Sequence, residues 1–314
     1  MMLSKQAAMR DAYGEALLEL GATNRDVVVV GADTTGSLKS GVFGSKYPER
    51  FFNVGIAEQN LVSIAAGLAL TGKIAYSGTY AIFVPGKCVD QIRNNICYPD
   101  LNVKLVCSHG GISVGPDGAS HQQVEDIAIM RAIPKMKVIV PADAPSTKEI
   151  VKAIASIAGP FYVRLTRSAT PVVYEEGFEY RFGRANVLRD GSDVVVFACG
   201  IMVPEALRAA ESLKTKGVSA AVVDMHTVKP IDSDTILKLA QKCGRVVTTE
   251  EHNILGGMGS AVAEVLGEGR PTPMKRVGVM DKFGESGDPG ELLKKYGLTA
   301  ANIELAVAAL LQSK

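Results

Sequence analysis

Asn53-Val54-Gly55-Ile56-Ala57-Glu58-Gln59-Asn60 closes a short strand and opens a helix, whose apolar residues recur at helical spacing over 56–70. The stretch puts a carboxylate, Glu58, where a strand gives way to a helix. In an open parallel sheet, ligands collect outside the carboxyl ends of the strands, so Glu58 is placed to meet one. An acidic residue also suits the positive end of a helix with no ligand present. Both readings stand on this stretch alone.

The strand-to-helix step repeats in both directions. Residues 27–30 are four valines, and 74–77, 103–107, 138–140 and 161–165 read as strands. Helical stretches lie between them at 83–97, 124–132 and 146–157. Continuous apolar strands alternating with helices imply a parallel sheet covered on both faces. From Arg167 to Arg189 the rhythm breaks at Pro171, Gly177 and Gly183, which reads as a linker carrying an irregular strand. Alternation restarts with strands at 194–198, 218–223 and 245–249 and helices from Pro204, Asp232 and Met258. Pro204 suits a first helical turn, which needs no amide donor there. The fold class is α/β, with two mostly parallel sheets flanked by helices. Domains are expected over 1–170 and 188–314, joined by a linker over 171–187, and 314 residues suit two domains.

Composition narrows the function. With 47% hydrophobic and 21% charged residues, a packed globular core is expected. A net charge of +1 gives no reason to expect nucleic-acid or membrane-surface binding. No apolar run approaches a membrane span, and residues 1–10 lack an apolar signal core. Cys88, Cys97, Cys107, Cys199 and Cys243 have no metal-ligand or CxxC spacing and read as reduced core residues. A cytoplasmic location is expected.

Two further stretches carry chemistry. In Ser77-Gly78-Thr79-Tyr80-Ala81-Ile82-Phe83, two aromatics follow a strand end. They could stack on a flat ring or belong to the core. The loop Ser108-His109-Gly110-Gly111-Ile112-Ser113-Val114-Gly115-Pro116-Asp117-Gly118-Ala119-Ser120-His121-Gln122 holds two of the four histidines. It reads as a surface turn or a site, and a loop this rich in glycine and polar groups favours a site. Two histidines could also bind a metal, but no third ligand is evident. Phosphate loops of the GxGxxG or GxxxxGK[ST] kind are absent, as are GxSxG and HExxH.

In this order and at these spacings the three stretches resemble the pyrimidine-binding domain of transketolases. Thr227-Val228-Lys229-Pro230-Ile231-Asp232 and Glu250-Glu251-His252 resemble that family's C-terminal domain. The resemblance runs through nearly the whole chain. A full transketolase also has an N-terminal domain whose Gly-Asp-Gly motif, followed by Asn, holds metal and diphosphate. That motif does not occur here. The resemblance thus implies one subunit of a split transketolase, moving a two-carbon ketol unit from a ketose phosphate to an aldose phosphate. It implies thiamine diphosphate as cofactor. Mg²⁺ or a similar divalent ion would be held mainly by an N-terminal partner subunit, in a heterotetramer, with no metal ligand in this chain.

Residue roles follow from the same resemblance. Glu58 and His121 match catalytic positions. Glu58 matches the glutamate that hydrogen-bonds N1′ of the aminopyrimidine, favouring the tautomer whose 4′ nitrogen takes the thiazolium C2 proton. Tyr80 and Phe83 match aromatics of that pocket, and Asp33 an aspartate near the cofactor. Ser37, His109 and Arg167 match residues that hold the sugar phosphate, and Asp117 and His121 those that bind ketose hydroxyls. The chain departs from the pattern at Gly86, where a third aromatic is usual, at Gly110, where aspartate commonly follows the histidine, and at Pro116. Neighbouring readings are the beta subunit of a 2-oxo-acid dehydrogenase, half of a 1-deoxyxylulose-5-phosphate synthase, or a non-catalytic subunit on the same scaffold.

Overall fold

The structure, a computed structural model, describes residues 5–312. Residues 1–4, part of the stretch read above as lacking a signal core, lie outside the described residues. The first half of the chain contains β1 (Gln6–Ala7), α1 (Met9–Thr23), β2 (Val27–Gly31), α2 (Thr35–Leu38), α3 (Gly41–Lys46), β3 (Phe51–Asn53), α4 (Glu58–Leu70) and β4 (Ile74–Gly78). It continues with α5 (Val84–Gln91), β5 (Val103–Cys107), α6 (Asp126–Ala132), β6 (Lys137–Ile139), α7 (Ala144–Ile154), β7 (Phe161–Arg164) and β8 (Thr170–Pro171). The second half contains β9 (Asn186–Arg189), β10 (Val194–Ala198), α8 (Met202–Thr215), β11 (Ala220–Asp224), β12 (Thr227–Lys229) and α9 (Ser233–Cys243). Then come β13 (Val246–Asn253), α10 (Met258–Gly269), β14 (Met274–Val279), α11 (Pro289–Lys295) and α12 (Ala300–Gln312).

Among the described residues the main sheet runs β12-β6-β7-β5-β4-β2-β3, parallel except at β12. The valines of β2 show why it is central. Val28 and Val30 pack with Leu61, Val62 and Ala65 of α4, while Val27 and Val29 pack with Tyr13, Ala16 and Leu17 of α1. Both faces of the strand are thereby dry, as the unbroken valine run requires. The second sheet runs β14-β13-β10-β11-β9, parallel except at β9. One apolar cluster links the two sheets, joining Val103 and Tyr162 to Phe197 and Val223.

The helix expected over 83–97 is two pieces. α5 has non-helical angles at Cys88 (φ −120°, ψ 18°), and a π-helical turn over Ile92–Cys97 follows it. The linker stretch is tied down at several points. β8 pairs with β1, and Asp143 Oδ2 accepts from Val173 N at 2.6 Å and Tyr174 N at 2.8 Å. β12, from the second half of the sequence, completes the edge of the main sheet by pairing antiparallel with β6. All five cysteines are free and buried.

Candidate active site

Because β2, β3, β4, β5 and β7 are parallel, their carboxyl ends share one edge of the main sheet. Each candidate residue follows one of them: Asp33 and Ser37 after β2, Glu58 after β3, and Tyr80 and Phe83 after β4. His109, Asp117 and His121 follow β5, and Arg167 follows β7. β3 and β4 flank β2 on opposite sides, so the chain changes direction there and leaves a crevice at those ends.

Asn53 shapes the approach to Glu58. Its Oδ1 accepts from Asp33 N at 3.0 Å and Gly55 N at 3.2 Å, tying the ends of β2 and β3 together. Gly55, at φ 72°, makes a left-handed turn that suits glycine. Glu58 then opens α4, where its charge favours the helix N-terminus. Its carboxylate is nearly buried and lies 3.3 Å from Lys87 Nζ. Glu58, Lys87, Ala57, Gln59 and Asn60 border an open cavity of about 540 Å³.

Beyond Lys87, whose Nζ lies 4.3 Å from the Phe83 ring centroid, runs a row of rings. Phe83 and Tyr80 stack with centroids 5.8 Å apart, and Tyr80 stacks on His109 at 3.8 Å. His121 meets Phe83 edge-on at 5.4 Å and Tyr80 at 6.5 Å. The Tyr80 hydroxyl donates to Ser37 Oγ at 3.1 Å, and Arg10 Nη1 donates to Ser37 O at 2.7 Å. Arg167 Nη1 donates to Val114 O at 2.7 Å. Burial, then the charges of Arg10, Arg167 and His121, push the His109 imidazole down to about 3. At neutral pH His109 is therefore an uncharged hydrogen-bonding group beside cations. Its Nδ1 is 2.7 Å from Ser108 Oγ, and His121 Nδ1 is 3.0 Å from Ser120 Oγ.

The loop after β5 is braced by the second half of the chain. Ser113 N donates to Glu251 Oε1 at 2.6 Å, and Gln122 Nε2 to Glu285 O at 2.9 Å. Arg164, buried, donates through Nε to Asp126 Oδ2 at 2.9 Å and through Nη2 to Glu251 O at 2.8 Å. This explains one departure: a Cβ on Gly110 would lie 2.4 Å from Arg164 Nε. A Cβ on Gly86 would meet nothing within 4 Å, so the position of the usual third aromatic is open space. Pro116, Asp117 and Asp33 are exposed, and the Asp33 carboxylate accepts from Asn53 Nδ2 at 3.5 Å. Among the described residues no group of three His, Cys, Asp or Glu side chains is arranged to hold a metal.

Two residues of the site escape a reading of the sequence, Arg10 and Lys87. Arg10 sits in the first turn of α1, where the helix dipole disfavours a cation. Burial, with a contribution from Arg167, lowers its pKa, and its Nε is buried without an acceptor among the described residues. An unfavourable helix position was the available signal. Lys87 gives no comparable signal, because its contact with Glu58 is made only in the fold.

Comparison with known proteins gives the family. The family model of the transketolase pyrimidine-binding domain matches residues 5–172, and that of the transketolase C-terminal domain matches 183–303. A protein named as a transketolase C-terminal section in Methanocaldococcus jannaschii is 50% identical, over 94% of this chain and 93% of its own. The 6-deoxy-6-sulfo-D-fructose transketolase subunit of Clostridium sp. MSTE9 is 41% identical, over 98% of this chain and 95% of its own. A solved structure, described as a split-gene transketolase in an inactive beta4 tetramer, superposes with a TM-score of 0.91 at 51% identity, covering 97% of this chain and 98% of that one. With both family domains in order along the chain, and relatives matched over nearly their full length, this chain belongs to the transketolase family.

Proposed function

We propose that this chain is the C-terminal subunit of a two-chain transketolase that moves a two-carbon ketol unit from a ketose phosphate to an aldose phosphate. The observation that carries the reading is Glu58, a carboxylate on the wall of an open cavity at the β3 end, with Lys87 bridging it to Phe83 and Tyr80 stacked on Phe83. These groups fit a flat aminopyrimidine, one ring nitrogen meeting the carboxylate and the ring face meeting an aromatic. Thiamine diphosphate, when bound, supplies the nucleophilic carbon and the electron sink. Glu58 holds the proton at N1′. His121, fixed by Ser120, offers its other ring nitrogen to a substrate hydroxyl, and Asp117 offers a carboxylate to a second hydroxyl. Arg10, Arg167, Ser37 and neutral His109 make a donor-rich end suited to a phosphate dianion.

Diphosphate and Mg²⁺ fall to an N-terminal partner subunit, in an assembly of two copies of each chain. The relative named a C-terminal section and the solved split-gene protein support a two-chain enzyme. Relatives are named for different sugars, 6-deoxy-6-sulfo-D-fructose and apulose 4-phosphate, so the donor sugar is set by residues outside the shared cofactor machinery. The test is ketose-to-aldose transfer by this chain mixed with its N-terminal partner, thiamine diphosphate and Mg²⁺, beside this chain alone. Transfer only in the mixture supports the proposal. Decarboxylation of a 2-oxo acid in place of transfer would replace it with the dehydrogenase-like reading.

A further inference from the structure

Lys87 has no part in the chemistry above, yet it touches both groups that chemistry needs. Its Nζ lies 3.3 Å from Glu58 Oε1 and 4.3 Å from the centroid of the Phe83 ring. Its main chain is anchored, because its carbonyl accepts from Gln59 Nε2 at 3.0 Å. Its side chain is 52% exposed, against 11% for the Glu58 side chain. The root is therefore fixed to the start of α4 while the tip is free to leave for water.

We propose that Lys87 competes with the aminopyrimidine ring for Glu58 and Phe83, and so sets how tightly the assembled enzyme takes up its cofactor. The proposal rests on Glu58 being the partner of N1′. An ammonium at that distance from the carboxylate opposes a proton on N1′, because both cations would share one carboxylate. It also covers a face of the ring on which the aminopyrimidine would pack. A lysine on a flexible four-carbon stem can withdraw at small cost, since a half-exposed ion pair is weak. Lys87 thus shields Glu58 without blocking the site permanently.

The test is calorimetric titration of the two-chain complex with thiamine diphosphate in the presence of Mg²⁺, at low and high salt. Lys87→Met keeps the stem and removes the charge, while Lys87→Arg keeps a cation. At low salt the Met variant should bind roughly three- to tenfold more tightly than wild type, the size of one exposed ion pair and one cation–π contact. The gap should narrow at high salt as the ion pair is screened, and the Arg variant should bind like wild type. Equal or weaker binding by the Met variant, with wild type binding normally, overturns the role of Lys87 alone. A wild-type complex that binds no thiamine diphosphate overturns the proposed function and this inference together.

Discussion

The Tyr80 ring lies on the His109 ring, centroids 3.8 Å apart and planes inclined by 24°. The pair joins the ends of two neighbouring strands, β4 and β5. Tyr80 also reaches Ser37, beyond β2, through its hydroxyl. One phenol thus ties the ring row beyond Lys87 to the polar end of the site. Tyr80→Phe keeps the stack and removes the hydroxyl. The Michaelis constant for the phosphorylated donor should rise about two- to tenfold, the worth of one net hydrogen bond, with cofactor affinity nearly unchanged. Steady-state kinetics beside calorimetric titration of the cofactor checks this. A larger loss in cofactor affinity than in donor binding would remove the Tyr80 hydroxyl from the phosphate end of the site.

Glu58→Gln tests the catalytic assignment with little change of shape. The amide keeps the size of the side chain and its place at the head of α4, but it cannot hold a proton on N1′. Turnover by the complex should fall by about 10²- to 10⁴-fold, the usual worth of an acid–base group. Thermal unfolding of the chain should move little, because the partner lost is a half-exposed lysine. Activity near wild type would remove Glu58 from the mechanism.

Arg10 and Arg167 are expected to act on the phosphate and not on the sugar carbons. Replacing either by alanine should lower kcat/KM for a phosphorylated donor by roughly 10- to 100-fold, in the range of charge-assisted hydrogen bonds. Transfer from an unphosphorylated ketose should change much less. Parallel measurements on the two donors decide it, and an equal loss on both would assign the arginines to folding or assembly.

What the sequence made legible was local. The valine run of β2 announces a strand buried on both faces, and Asn53 to Asn60 announces a strand end facing a helix, because periodicity and turn chemistry are written in adjacent residues. Glu58, Tyr80, Phe83 and His109 were picked out as candidates by ordered motifs. Arg10 and Lys87 were not, because each acquires meaning only from a partner far along the chain: Arg10 from Ser37 and Arg167, Lys87 from Glu58. The place of β12 in the main sheet is hidden for the same reason, since Thr227–Lys229 pairs with β6 across a long stretch of sequence.

Gly110 should resist any side chain. Arg164 is buried and committed to Asp126 and to the Gln123 and Glu251 carbonyls, so it has no room to withdraw from a Cβ placed 2.4 Å from its Nε. Gly110→Ala should destabilise the chain by about 1–3 kcal/mol, as overpacking does. The lost stability would appear as a lower urea midpoint with an unchanged slope. An unchanged midpoint would mean that the loop moves aside freely, and that His109 is not held by it.

Buried titrating groups give this chain stability contributions that change in opposite directions with pH. Burial, the largest influence on each, lowers His109 to about 3 and His226 to about 4. In the unfolded chain both titrate near ~6.5. Their contribution is therefore complete above that pH and is lost as the pH falls toward 4 and 3, because the unfolded chain binds protons first. Asp224 behaves in the opposite sense. Burial raises its carboxyl to about 8, and the hydrogen bond from Tyr174 offsets this only in part. Its contribution is complete below the unfolded value of ~3.9 and is lost as the pH rises through 8. Asp224→Asn fixes a neutral group there, and its Oδ1 can still accept from Tyr174. Urea unfolding at pH 5, 7 and 9 should show the variant gaining on wild type as the pH rises. A difference between the two proteins that stays constant across that range would mean that Asp224 does not take up its proton on folding.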